Sequence, residues 1–178
     1  MTLTPRLRKL ALTVHVTCSV GLLGSVAAFL VLAIAGVTSQ DEQMVRASYL
    51  AMEVIAQFVI VPLAFASLLT GLIQSLGTPW GLFRHYWVLV KFLLTVFATI
   101  VLLIKMELIG HAARLVAETT FPRADLHAVG IQLVVHAAGG LLVLLVPAVL
   151  SVYKPPGTTR YGARKQHEPR APDRKSVV

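Results

Sequence analysis

Charge is what this sequence has least of. Only 13% of its 178 residues are Asp, Glu, Lys or Arg, while 56% are hydrophobic; a soluble domain carries about 25% charged residues. The deficit falls in long uncharged runs, which exclude an ordinary water-soluble fold and mark membrane-crossing helices. Cysteine is nearly absent too: Cys18 alone excludes an internal disulfide and any zinc site built from several cysteines. Acidic residues number 8 against 16 Lys and Arg, giving a net charge of +8. That balance would suit nucleic acid if it covered a folded face, but it lies at the ends. Seven basic residues follow Tyr153, and Arg6, Arg8 and Lys9 precede the first apolar run. The expected partner is therefore the lipid bilayer, with anionic lipid at the basic tail, and no nucleic acid. The sequence also lacks a phosphate-binding glycine loop, a nucleophilic triad pattern and a zinc motif.

What is present is four apolar segments, each long enough for a hydrocarbon core that takes about 20 helical residues. They cover about 10–37, 47–76, 86–110 and 126–152. The first follows the basic stretch "TPRLRK", the order of a signal peptide, and "AIA" at 33–35 imitates a cleavage site. Its apolar run is far longer than the 7 to 15 residues of a signal core, so it reads as a retained span. Pro62 and Pro147 fall inside spans two and four and predict kinks there. The chain divides into a basic N-terminus (1–9), a transmembrane domain (10–153) and a basic tail rich in Pro, Gly, Arg and Lys (154–178), expected to be disordered. Eleven basic residues fall on the side of the termini and the second loop, against four on the other side. The positive-inside rule then predicts both termini in the cytoplasm. Trp80, Tyr86, Trp87 and Tyr153 stand where an aromatic belt belongs on that side. The fold class expected is all-α, a polytopic four-helix bundle in the bacterial cytoplasmic (inner) membrane.

A charge at mid-bilayer costs about 2.5 to 3.5 kcal/mol, so ionisable residues inside spans are where function is sought. The candidates are His15, Glu53, Lys91 and His136. Lys91 sits within "HYWVLVKFLLTV", among aromatic and aliphatic residues. His15 and Lys91 are each the sixth residue of a span that starts on the same side, which makes them level. His15 and His136 differ in depth by about 15 Å at the helical rise of about 1.5 Å per residue, too far to share one ligand atom. In span two, Glu53, Gln57, Ile60, Ala64, Ser67, Gly71 and Gln74 recur at spacings of four and three, a polar and small stripe predicted to face the other helices. In span one His15 shares a face with Cys18, Leu22 and Ser25. In span four Gln132 and His136 lie one turn apart, before Gly139 and Gly140. These patterns predict a polar interior formed by Glu53, Gln57, Gln132 and His136. Plainer readings stand beside each: Lys91 can reach for interfacial water along its stem, and each His or Gln can simply hold two helices together. His111, His127, Glu107 and Asp125 scatter over a loop and its flanks, so no metal ligands are assigned.

The early histidine of "LTVHVTCSVGLLG", the glycine of "LLTGLIQ", the aromatic-to-lysine opening "YWVLVKFLL" and a histidine-bearing last span ending in "YKPPG" form a pattern over residues 8 to 155. It resembles a bacterial family of small four-helix integral membrane proteins of unknown function. More distantly it is similar to the four-helix membrane protoporphyrinogen oxidases and the copper-resistance D proteins. The oxidase resemblance implies a helix-one histidine and a helix-three lysine as axial ligands of haem b, roles that fall here on His15 and Lys91. Lysine ligates only through a deprotonated amine. The chain departs from the oxidases in lacking an aromatic-rich start to helix one and a basic cluster after it. The resemblance therefore carries haem binding further than it carries the oxidase reaction. The expectation is an integral inner-membrane protein that binds haem b or takes part in membrane redox chemistry. The alternative is a small transporter, copper-handling protein or partner subunit with a polar path through Glu53, Gln57, Gln132 and His136. Whether it is an enzyme is left open, and a second copy or another membrane subunit is the partner expected beyond lipid.

Overall fold

The computed structural model describes residues 4–77, 85–117, 123–153 and 159. Five α-helices account for nearly all of them: α1 (Pro5–Thr38), α2 (Glu42–Ile55), α3 (Val61–Gly77), α4 (Tyr86–Ala117) and α5 (Arg123–Tyr153). A π turn, Ala56–Ile60, joins α2 to α3, so the two form one rod. Four helices are thus long and apolar enough to cross a membrane. They extend past the apolar runs at several ends because backbone chemistry, not hydropathy, stops them. Pro5 occupies the first turn of α1, where its missing N–H costs nothing, so the helix begins inside the expected 1–9 terminus. Ser39 turns the chain to extended geometry, and the Asp41 carboxylate then accepts from the Gln43 N–H at 3.0 Å to start α2. The tail expected to be disordered lies outside the described residues except Thr159, as do Trp80 and Arg84.

The second span shows why an internal proline need not break a rod. The ring of Pro62 would collide with the carbonyl four residues back in a regular α-helix. Here the helix widens over the preceding turn, and the Val61 N–H bonds the Ala56 carbonyl. The extra residue also straightens the packing face. Val45, Tyr49, Met52, Ala56, Ile60, Ala64, Ser67 and Ser75 are all buried. In an unbroken helix the last of them would stand about 120° around from the first, and absorbing one residue removes about 100° of that drift. In α5, Pro147 stays within the helix, and the Ser151 hydroxyl donates to the Pro147 carbonyl at 2.7 Å.

The spans form a ring. Among the described residues, α1 packs against the second span and α5, and α4 packs against the same two. The α1 and α4 helices stand diagonally across from one another without comparable contact. The two ends of the ring differ. Away from the termini the bundle is tight: Ala33, Met52, Ala56, Ala112 and Val116 are fully buried. Tyr49 closes this end, with its ring over Gly36, its hydroxyl against Gly130, and an Oη–H bond to the Leu126 carbonyl at 3.2 Å. Tyr49→Phe is expected to lower stability by about 1 kcal/mol, the net worth of one such bond. Thermal unfolding in detergent measures it, and an unchanged midpoint would deny the hydroxyl any part in closing that end. Toward the termini few side chains are fully buried, and the bundle opens.

Candidate functional site

At the open end the four spans surround a cavity of about 460 Å³. Its polar wall comes from α1 and α3, which meet through an antiparallel series of side-chain contacts. Gln74 Nε2 donates to the Ala11 carbonyl at 2.9 Å, His15 Nδ1 lies 3.0 Å from Thr70 Oγ1, and Ser19 and Ser67 hydroxyls meet at 3.0 Å. The spacing 11, 15, 19 on one helix against 74, 70, 67 on the other is one turn per contact, which a helix pair running in opposite directions requires. Gly71 lets the His15 ring lie against α3: a Cβ there would stand 3.1 Å from His15 Cε1.

The hydrogen bonds fix the tautomer of His15. Thr70 Oγ1 donates its single proton to the Ala66 carbonyl at 2.6 Å, because a carbonyl oxygen can only accept. Thr70 must then accept from His15, so Nδ1 carries the proton and Nε2 keeps its lone pair. Nε2 has no hydrogen-bond partner among the described residues. An imidazole with one N–H held by an oxygen and the other nitrogen open is the arrangement found in ligated histidines.

Lys91 lines the same cavity from α4, the helix diagonally opposite. Its Nζ donates to Ser151 Oγ at 2.9 Å and stands 4.8 Å from the centroid of the Trp87 ring, one turn back. Ser151 can accept because its own proton goes to the Pro147 carbonyl. His15 and Lys91 thus share one cavity, and the amine is held toward the open end of the bundle. The site fits haem b unevenly. His15 lines the cavity with its hydrogen bond to Thr70 made through Nδ1, which leaves Nε2 as the nitrogen that would ligate, whereas Lys91 would have to give up Ser151 by rotating its flexible stem.

The four residues expected to form a polar interior are not brought together. Glu53 is half-buried at the seam with α4, where it and Arg114 both approach Gly110: a Cβ on that glycine would lie 3.5 Å from Glu53 Oε1 and 3.6 Å from Arg114 Nη1. Gln57, Gln132 and His136 are exposed on the outside of the ring. Gln57 is turned out by the π turn, which holds Ala56 and Ile60 inward instead. His136 satisfies Nδ1 on its own helix, 2.6 Å from the Gln132 carbonyl. No continuous polar path connects these side chains among the described residues. Cys18 is half-buried with a free thiol, and Ser19, one residue on, takes the contact with α3. His111, His127, Glu107 and Asp125 are exposed, and among the described residues no three His, Cys, Asp or Glu side chains converge.

Sequence reasoning missed Thr70, Ser19 and Ser151, and placed Trp87 in the interfacial belt, not at the site. Ser19 lies one turn from His15 and Thr70 three residues from Ser67, which was the available signal. No family model, curated protein or solved structure matches the chain, so the site rests on its own geometry.

Proposed function

We propose that this chain is a multi-pass protein of the bacterial cytoplasmic membrane with both termini in the cytoplasm, and that its open-end cavity binds haem b between His15 and Lys91. The observation that carries the reading is the placement of an unpartnered imidazole nitrogen and a primary amine on diagonal spans around one cavity. Such a cavity lies within the 300 to 1,000 Å³ typical of ligand sites. Bound haem would supply one-electron chemistry; the chain's own residues orient and enclose it. Thr70 holds the His15 tautomer, Gly71 gives the ring its place, and Trp87 and Phe92 shield the pocket from water. Anionic lipid of the cytoplasmic leaflet is the partner that suits the seven basic residues after Tyr153.

The hold on Lys91 favours a second reading, in which the amine remains an ammonium and binds an anionic group of the ligand. Absorption spectra of protein purified from haem-replete cells separate the two. A Soret band lost in His15→Ala and in both Lys91→Met and Lys91→Arg supports axial ligation, because arginine keeps the charge but cannot ligate. A band kept in Lys91→Arg and weakened in Lys91→Met supports the ionic role. Colourless, folded wild-type protein overturns the haem reading.

A further inference from the structure

A second cavity, of about 440 Å³, occupies the middle of the ring, and its wall is almost wholly aliphatic and aromatic. Leu22 and Leu144 line both cavities, so the two adjoin. Four of its lining residues, Phe97, Val135, His136 and Gly139, are exposed on the outer surface of the bundle. The cavity therefore opens sideways between α4 and α5, toward whatever surrounds the apolar helices.

Three polar side chains break this wall: Thr99, whose hydroxyl donates to the Thr95 carbonyl at 2.8 Å, Lys105 and His136. The Lys91–Ser151 hydrogen bond sets the register of the antiparallel pair α4 and α5. Lys105 lies fourteen residues beyond Lys91, and His136 fifteen before Ser151. At about 1.5 Å per residue the two are level to within roughly one rise. Lys105 is half-buried and has no hydrogen-bond or ionic partner among the described residues. Glu107, two positions on, faces away and is exposed, and Glu53 is taken up at Gly110 beside Arg114. His136 has committed Nδ1 to the Gln132 carbonyl, leaving Nε2 without a partner. An ammonium within a span is costly unless something neutralises it, and among the described residues nothing does. From Lys105 to Phe97 the apolar slot runs about 12 Å along the helices at that same rise.

We propose that this slot binds an anionic amphiphile, its acidic oxygen head on Lys105 beside His136 and its hydrocarbon chain along the slot toward Leu22 and Leu144. The side opening admits the chain from the bilayer without passage through water. The ligand's charge neutralises Lys105 where lipid would otherwise meet a bare cation. This inference is independent of haem, whose absorption is a separate readout.

Gly140 provides the test. It lines the slot, and a Cβ built there meets nothing within 4 Å, so the side chain of Gly140→Leu starts into open space and is placed to occupy the slot. Titration of purified full-length protein with the fluorescent polyene fatty acid cis-parinaric acid is expected to saturate at one site per chain. Gly140→Leu should abolish binding with the thermal midpoint unchanged or raised. Lys105→Met should weaken competition by oleate at least about tenfold, the loss of one charge-assisted contact, and leave competition by uncharged oleyl alcohol as it was. Displacement by oleate or by phosphatidylglycerol tells a free fatty acid from a phospholipid as the source. Absence of saturable binding, or equal affinity in wild type, Gly140→Leu and Lys105→Met, overturns the proposal.

Discussion

Gly130→Ala is expected to destabilise the bundle by about 1 to 3 kcal/mol and to lower its yield in detergent. A Cβ at this position would overlap the Tyr49 hydroxyl and Val37 Cγ2, one from the second span and one from α1. Tyr49 cannot give way easily. Tyr49 is 1% exposed and its ring is backed by Gly36, where an added Cβ would stand 3.0 Å from Cε2. Forcing a methyl into packed surroundings costs about 1 to 3 kcal/mol. Displacing the hydroxyl from the Leu126 carbonyl adds about 1 kcal/mol. The better helix propensity of alanine returns up to about 1 kcal/mol. Gly139→Ala is the matched control: nothing lies within 4 Å of its added methyl, so only the propensity gain remains. Thermal unfolding of the two variants side by side decides it; equal midpoints would mean that the closed end is not held by this three-way contact.

The second large effect is expected at the open end. Gly71→Val places a branched side chain where even a bare Cβ would stand 3.1 Å from the His15 ring. The imidazole must then rotate off α3, which breaks its bond to Thr70 and frees the tautomer that bond enforces. Haem absorbance in Gly71→Val should fall as far as in His15→Ala, with the helical circular dichroism intact because Gly71 borders a cavity and not the tight core. A full-strength band in Gly71→Val would mean that the ring position seen here is not needed for binding.

The spans were legible because hydropathy accumulates over about 20 residues and no local exception cancels it. Their ends were less so: Pro5 and Asp41 act through capping geometry, which leaves no trace in an apolar average. The expected inward stripe of the second span describes Ile60, Ala64 and Ser67, all buried, and fails at Gln57. A constant period assumes a constant helix, and the π turn at Ala56–Ile60 is where that assumption ends. Depth arithmetic put His15 and Lys91 at one height, and both line one cavity. Polarity alone was a poor guide to Gln132 and His136, because a histidine can satisfy a ring nitrogen on its own helix and stay outside. Thr70 and Ser151 escaped notice for a related reason. Hydroxyls in spans commonly bond the carbonyl one turn back and then look inert, yet the same bond makes each oxygen an acceptor for a neighbouring helix.

The widened turn ahead of Pro62 has a consequence for sequence length. Because it already houses one surplus residue, a chain shortened by one position between Ala56 and Ile60 and carrying alanine in place of Pro62 closes into a plain α-helix with Tyr49 and Ser67 still pointing the same way. A chain lengthened by one has no such slack, and everything from Ala64 to Ser75 would swing about 100° off its partners. Tolerance to indels in this rod is therefore one-sided.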